Sequence, residues 1–85
     1  VSVREILGGT TRIFPNPTNG RVNITFSDAR NLRYDVYDLR GVLLLDGNFN
    51  ERANLNLSHH PAGVYLIKIM DPVSGLFTVR KVEVL

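Results

Sequence analysis

The stretch FPNPTNGRVNITF, residues 14–26, decides the fold, because it places a stiff turn directly before an alternating strand. Pro15 and Pro17 fix φ and lack a backbone donor, and each proline disfavours helical geometry in the residue before it. Asn19-Gly20 supplies the positive-φ turn. The stretch therefore predicts a rigid kink that fixes the direction of the following strand by backbone shape, without a reactive side chain.

Alternation of apolar and polar residues continues from this stretch to the end of the chain. Val22, Ile24 and Phe26 share one face, and similar runs follow up to the terminal LFTVRKVEVL. Short segments rich in Gly, Pro, Asn, Asp or Ser separate the runs, and no long helix is indicated. The pattern predicts an all-β fold, an immunoglobulin-like antiparallel β-sandwich of about seven strands.

The inward face of these strands gives the predicted core. We expect ten side chains to be mostly buried: Val22, Ile24, Tyr34, Val36, Leu43, Leu45, Leu57, Tyr65, Ile67 and Ile69. In the last strand, Phe77 and Val79 are out of phase with Val82 and Val84, which predicts a β-bulge near Arg80-Lys81.

Length and composition limit the classes of function. Eighty-five residues make one domain, and the absence of cysteine excludes disulfides and thiolate metal sites. The formal net charge is +2, and ten Lys and Arg residues are scattered among eight acidic residues. No basic run indicates a nucleic-acid partner, and no apolar run is long enough for a transmembrane segment.

Residues 1–10 differ from the rest of the chain, because Gly8-Gly9 is flexible and precedes the stiff proline turn. We expect residues 1–10 to be a flexible, protease-sensitive linker or junction, and residues 11–85 to form the folded domain.

His59-His60 is the most conspicuous candidate for chemistry, but neighbouring side chains in an extended chain point to opposite sides. No cluster of His, Asp or Glu has recognisable ligand spacing. Ser58 beside His59 lacks the strand–turn–helix elbow of a nucleophile. We therefore predict no enzyme activity, no cofactor and no metal site.

Aromatic residues leave a second function open. Tyr34, Tyr37, Phe49 and Phe77 lie in alternating strands, where aromatic side chains are usually core or cross-strand partners. The alternative is an immunoglobulin-like adhesion or carbohydrate-binding module of a surface protein, which uses loops or an aromatic face as its binding surface.

Four elements, taken in order, resemble the C-terminal sorting domain of the type IX, or Por, secretion system of Bacteroidetes. They are FPNPTNG, VYDLRG, LNLSHHPAGVYLIKI and the terminal RKVEVL, within residues 14–85. The matched positions are Phe14, Pro15, Asn16, Pro17 and Gly20 in the first element, Tyr37, Asp38 and Gly41 in the second, Gly63 and Tyr65 in the third, and Lys81, Val82 and Val84 in the tail. Glu83 departs from a tail that is usually apolar or basic.

The resemblance implies that the domain is the secretion signal of a larger cargo protein, covalently linked upstream of it. It implies recognition by outer-membrane translocon and shuttle proteins of the type IX system, and export through the periplasm to the cell surface or medium. It also implies removal of the domain by a sortase-like cysteine protease. A sorting label must end the polypeptide, and the sequence stops directly after its last strand. We expect Lys81–Leu85 to be recognised as an edge strand with unpaired backbone groups.

Overall fold

Seven strands and no helix make up residues 9–85, the part of the chain that the computed structural model describes. The strands are β1 (Thr11–Phe14), β2 (Arg21–Phe26), β3 (Asn31–Tyr37), β4 (Leu43–Asn50), β5 (Arg52–Asn56), β6 (Gly63–Met70) and β7 (Phe77–Val84). Neighbouring strands pair antiparallel in the order β1-β2-β5-β4-β3-β6-β7. The predicted all-β class and strand number are confirmed. Residues 1–8 of the predicted junction lie outside the described residues.

The strands form two layers, because the pairing between β4 and β5 is reduced to a corner. Asn50 pairs with Arg52 around Glu51, which has a φ of 68°. β1, β2 and β5 form one layer, and β4, β3, β6 and β7 form the other. This is the distribution of an immunoglobulin-like sandwich whose fourth strand pairs with the third strand.

Alternate residues of both layers face inward and form one core, as the period of two requires. The buried apolar side chains are Val22, Ile24, Phe26, Leu32, Val36, Phe49, Leu55, Leu57, Tyr65, Ile67, Ile69, Val82 and Val84. Of the ten predicted core residues, Tyr34 and Leu45 are only partly buried against this cluster. The prediction for Leu43 is wrong, because its side chain is 46% exposed. A register shift between Val36 and Tyr37 places Leu43 beyond the irregularity, where the inward phase is lost.

The bulge predicted near Arg80-Lys81 is also wrong. β6 and β7 pair without a register shift from Gly63↔Val84 to Met70↔Phe77. Thr78 takes the inward position and is 2% exposed, so the out-of-phase Phe77 belongs to the outer face. There, Lys68 Nζ lies 4.8 Å from the centre of the Phe77 ring. The apolar residues of β7 lie on both faces of the strand: Val82 and Val84 point inward, and Phe77 points outward.

Candidate functional site

The matched residues of the four sequence elements lie at or near one end of the sandwich, which we call the motif end. It consists of the β1–β2 turn (15–20), the β3–β4 turn (38–42), the β5–β6 loop (57–62) and the end of β7. Arg21, which starts β2, pairs with Asn56, which ends β5. In the other layer, Gly63 at the start of β6 pairs with Val84 at the end of β7. Since the strands alternate in direction, the odd-numbered strands β1, β3, β5 and β7 end here and the even-numbered strands β2, β4 and β6 start here.

The proline turn is hydrogen-bonded to the tail. Asn16 Nδ2 donates to the carbonyl oxygen of Lys81 at 2.9 Å, and Asn16 Oδ1 accepts from the Glu83 amide at 3.0 Å. Two residues later, the Thr18 amide donates to the Glu83 carbonyl oxygen at 2.8 Å, and the Leu85 amide donates to the Thr18 carbonyl oxygen at 2.8 Å. The first and fourth elements therefore form one unit.

This bonding corrects the expectation of unpaired groups in the tail. Both backbone groups of Glu83, the carbonyl group of Lys81 and the amide of Leu85 are already bonded to the proline turn. Val82 and Val84 are 0% and 4% exposed, so their side chains belong to the core. Lys81 and Glu83 are exposed, and their side chains remain accessible in the tail.

The prolines of the first element are themselves exposed. The Phe14–Pro15 and Asn16–Pro17 peptide bonds are both cis, and the Phe14 side chain is 42% exposed. The guanidinium carbon of Arg12 lies 5.9 Å from the centre of the Phe14 ring. The turn thus presents its aromatic ring at the surface.

Thr18 is a residue that the sequence-based prediction missed. Its side chain is 2% exposed, and its Oγ1 donates to the Arg21 carbonyl oxygen at 2.6 Å and accepts from the Gly20 amide at 3.1 Å. Gly20 has a φ of 131°, and a Cβ there would lie 2.9 Å from Ser58 Cβ. The Leu57 amide donates to the Gly20 carbonyl oxygen at 2.7 Å, so the first element also packs on the β5–β6 loop. A threonine beside Asn-Gly was the available signal, since hydroxyls bond locally in turns.

Asp38 builds the second element. Its Oδ1 accepts from the amides of Arg40 at 2.8 Å and Val42 at 3.0 Å, and its Oδ2 accepts from Arg40 Nη2 at 2.8 Å. The hydrogen bond from the Arg40 side chain, followed by that from the Val42 amide, lowers the pKa of Asp38 below its ordinary value. Gly41 has a φ of 86°, which glycine adopts readily. Asp38 and Gly41 therefore shape the turn.

Tyr65 ties β6 to the loop that precedes it in the third element. Its hydroxyl donates to the backbone carbonyl oxygen of Pro61. A tyrosine near the start of the sixth strand that bonds back to the preceding corner is a hallmark of immunoglobulin-type sandwiches. Gly63 between them has a φ of 150°, and a Cβ added there would meet no other residue within 4 Å. Backbone conformation, rather than crowding, favours glycine there.

An open pocket of about 340 Å³ lies between the second and third elements. It is lined by Asp38, Leu39, Arg40, Leu44, His60, Pro61, Ala62, Gly63, Val64 and Tyr65. The His60 ring centre lies 6.4 Å from that of Tyr65, in an edge-on arrangement. His59 is exposed on the same loop. The structure thus places the two histidines in a loop of the motif end.

Across residues 9–85, no group of three or more His, Cys, Asp or Glu residues is arranged to hold a metal ion. The same residues include no helix that is long and apolar enough to cross a membrane. The four aromatic residues considered for sugar binding do not share one surface. Phe49 is 8% exposed and lies 6.1 Å from the Tyr34 ring, which packs on the core, whereas Phe77 faces outward.

Comparison with known proteins agrees with the four elements. Residues 12–83 match the family model described as "Secretion system C-terminal sorting domain". The chain is also 30% identical, over 73 residues, to an endo-acting ulvan lyase of Formosa agariphila. That match covers 84% of this chain and 14% of the relative, so the chain spans a small part of the lyase's length. The chain therefore belongs to the family of secretion system C-terminal sorting domains, the sorting signals of type IX secretion.

Proposed function

We propose that the type IX secretion machinery recognises this sorting domain through its motif end. The observation that carries the proposal is the position of the four elements. They are distant in sequence, yet their matched residues all lie in the odd-to-even connections, within three residues of them, or in the last four residues of β7. The connections at the opposite end, residues 27–30, 51 and 71–76, carry none of them.

Exposed apolar side chains favour the same end. Of the eight large apolar residues that are exposed within residues 9–85, five lie at or beside the motif end: Phe14, Leu39, Val42, Leu43 and Leu85. Grouped exposed apolar residues are typical of protein interaction surfaces. Leu39, which is 69% exposed, also lines the pocket between the second and third elements. We expect the partner to cover this group.

Some matched residues shape the motif end, and others are left exposed for contact with a partner. Gly20, Asp38, Gly41, Gly63 and Tyr65 hold turns in shape through backbone conformation or internal hydrogen bonds. In the first element and the tail, Asn16 joins the two segments and Val82 and Val84 anchor the strand in the core. Direct contact with a partner then falls to the accessible side chains of Phe14, Pro15, Pro17, Tyr37 and Lys81.

We infer the partners from the family. The domain interacts with the secretion machinery and is attached to an upstream cargo domain, which is exported to the cell surface or secreted. More specifically, outer-membrane translocon and shuttle proteins bind the motif end after Sec export to the periplasm. A sortase-like cysteine protease then removes the domain by cutting within the junction at residues 1–10. The domain itself performs no catalysis in this scheme, because the cargo carries the activity.

A secretion assay with matched surface variants tests the recognition surface. A fluorescent protein with a Sec signal is fused upstream of the 85-residue chain in a type IX-competent bacterium, and periplasmic and external fluorescence are compared. We expect Phe14→Ser with Leu39→Ser to retain the fusion in the periplasm. The control pair, Val73→Ser with Leu76→Ser, removes exposed apolar residues at the opposite end and leaves export unchanged.

Each outcome bears on a separate claim, provided that thermal melts show both variants to be folded. Normal export of the motif-end variant, or equal retention of the control, contradicts the proposed recognition surface. Failure of the unaltered fusion to leave the periplasm contradicts a sorting activity of this chain itself. Removal by the protease is checked by the mass of the exported fusion, which should lack residues 11–85.

A further inference from the structure

The segment after the prolines runs beside the outer edge of β7 as a short parallel ladder. Thr18 forms a parallel bridge with Val84. Its amide bonds to the Glu83 carbonyl oxygen, and its carbonyl oxygen accepts from the Leu85 amide. A residue in a parallel ladder bonds in this way to the two residues that flank its partner.

The side chain of Asn16 continues that ladder by one position. Its Nδ2 donates to Lys81 and its Oδ1 accepts from Glu83, the two residues that flank Val82. A backbone residue opposite Val82 would use its N–H and C=O groups for the same two bonds. Pro15 and Pro17 lack an N–H, so the carboxamide supplies a donor that neither proline can provide. The Asn16 side chain therefore takes the place of a peptide group.

β7 is an edge strand of the sheet formed by residues 9–85. Edge strands with free backbone groups pair readily with other chains. The Lys81 carbonyl group points outward to Asn16, and the N–H group of the same residue lies on the same side of the strand. Two copies of β7 related by a two-fold axis at Lys81 would exchange both groups. Asn16 Nδ2 already donates to the Lys81 carbonyl oxygen, which such a pair would need as an acceptor.

The charge of Lys81 is a second obstacle to the same pair. Its side chain is exposed, and a two-fold axis at this position would set two lysines directly opposite each other. Like charges at opposed positions destabilise an antiparallel pair, and lysine is common on protected edges.

We propose that Asn16 is an edge cap, and that its carboxamide, together with the charge of Lys81, prevents a second copy of this chain from adding to β7. This cap acts in the domain alone in solution, whichever surface the secretion machinery recognises.

Hydrogen exchange at the Glu83 amide tests the cap directly. In the 85-residue chain we expect this amide to be protected, and Asn16→Leu to speed its exchange by about tenfold, because one hydrogen bond is lost. Asn54→Leu, which changes an exposed asparagine of β5, is the matched control and leaves Glu83 protected. Rapid exchange of the Glu83 amide in the unaltered chain overturns the cap.

Sedimentation velocity tests whether the cap prevents two copies of the chain from associating. We expect the unaltered chain to stay monomeric, and the Asn16→Leu, Lys81→Val double variant to gain mass with concentration, more than either single variant does. Adding Glu83→Pro removes an outward N–H and should restore the monomer. A folded double variant that stays monomeric, or a triple variant that still associates, overturns the proposal. Asn16→Asp keeps the side-chain shape without the donor, and replaces Asn16→Leu in the same series if leucine prevents folding.

Discussion

The hydroxyl group of Tyr65 donates a hydrogen bond to the backbone carbonyl oxygen of Pro61, which ties the start of β6 to the loop before it. Tyr65 is 5% exposed, so its ring also belongs to the core. One side chain thus joins the core to a loop of the motif end. This explains why the third element contains a tyrosine and not another aromatic residue.

Tyr65→Phe should lower the free energy of unfolding by about 1 kcal/mol, because the ring is kept and one largely buried hydrogen bond is lost. Urea unfolding followed by circular dichroism measures the change. Tyr37→Phe removes a hydroxyl from a half-buried tyrosine of β3 and is the control, with a smaller expected loss. Equal losses of unfolding free energy in the two variants would show that the hydrogen bond to Pro61 adds nothing measurable to stability.

Ile67→Ala should cost roughly 2–5 kcal/mol of unfolding free energy, because removal of a fully buried side chain leaves a cavity. Ile67 is 0% exposed at the centre of β6. Leu43→Ala, at a position that is 46% exposed, should cost much less in the same urea experiment. A loss below about 1 kcal/mol for Ile67→Ala would place this residue outside the core.

Gly20→Ala should destabilise the domain more than Gly63→Ala. Both glycines have positive φ angles, 131° and 150°, but only at Gly20 would the added Cβ meet another residue, at 2.9 Å from Ser58 Cβ. Backbone strain of this kind costs on the order of 1–3 kcal/mol, and the clash adds to it at Gly20. Thermal melts of the two variants give the comparison, and a reversed order would argue against close packing of the proline turn on the β5–β6 loop.

The stability of the domain should decrease in acid partly through Asp38. Its pKa is lower in the folded chain than the ordinary value of 3.8, so the ionised group stabilises the fold above that value. This contribution begins to fall near the ordinary value and is lost as the pH passes below the lowered, folded-state pKa. Urea midpoints measured from neutral to strongly acidic pH should fall less steeply for Asp38→Asn. Parallel curves for the two proteins would contradict the assignment.

Local patterns predicted most of the fold. Strict alternation in β2 and β6 identified the buried Ile24, Ile67 and Ile69. The pattern failed in β7, where Phe77 is apolar but faces outward beside Lys68. Alternation shows that two faces exist, but an edge strand with apolar residues on both faces does not reveal which one is inside.

The elements of the candidate site could be found in the sequence, but their contacts could not. Asn16 bonds to residues 65 and 67 positions further along the chain, and no local rule connects them. Thr18 was overlooked because polar residues in turns are normally exposed, whereas its hydroxyl closes the turn from inside. The grouping of the elements at one end follows from the alternating strand directions, once the pairing order is known.

The direction of β1 also determines where the described chain begins relative to the motif end. Thr11 pairs with Phe26, the last residue of β2, so the described chain begins at the pole of the sandwich opposite the motif end. Strands of eight residues separate the two poles by roughly 25 Å, within a domain that is 33 Å in its longest dimension. In the proposed scheme, a folded protein joined upstream is tethered toward that pole, and the motif end stays open. Under this proposal, one sorting domain can export cargo proteins of very different size, because the tether and the proposed recognition surface lie at opposite poles.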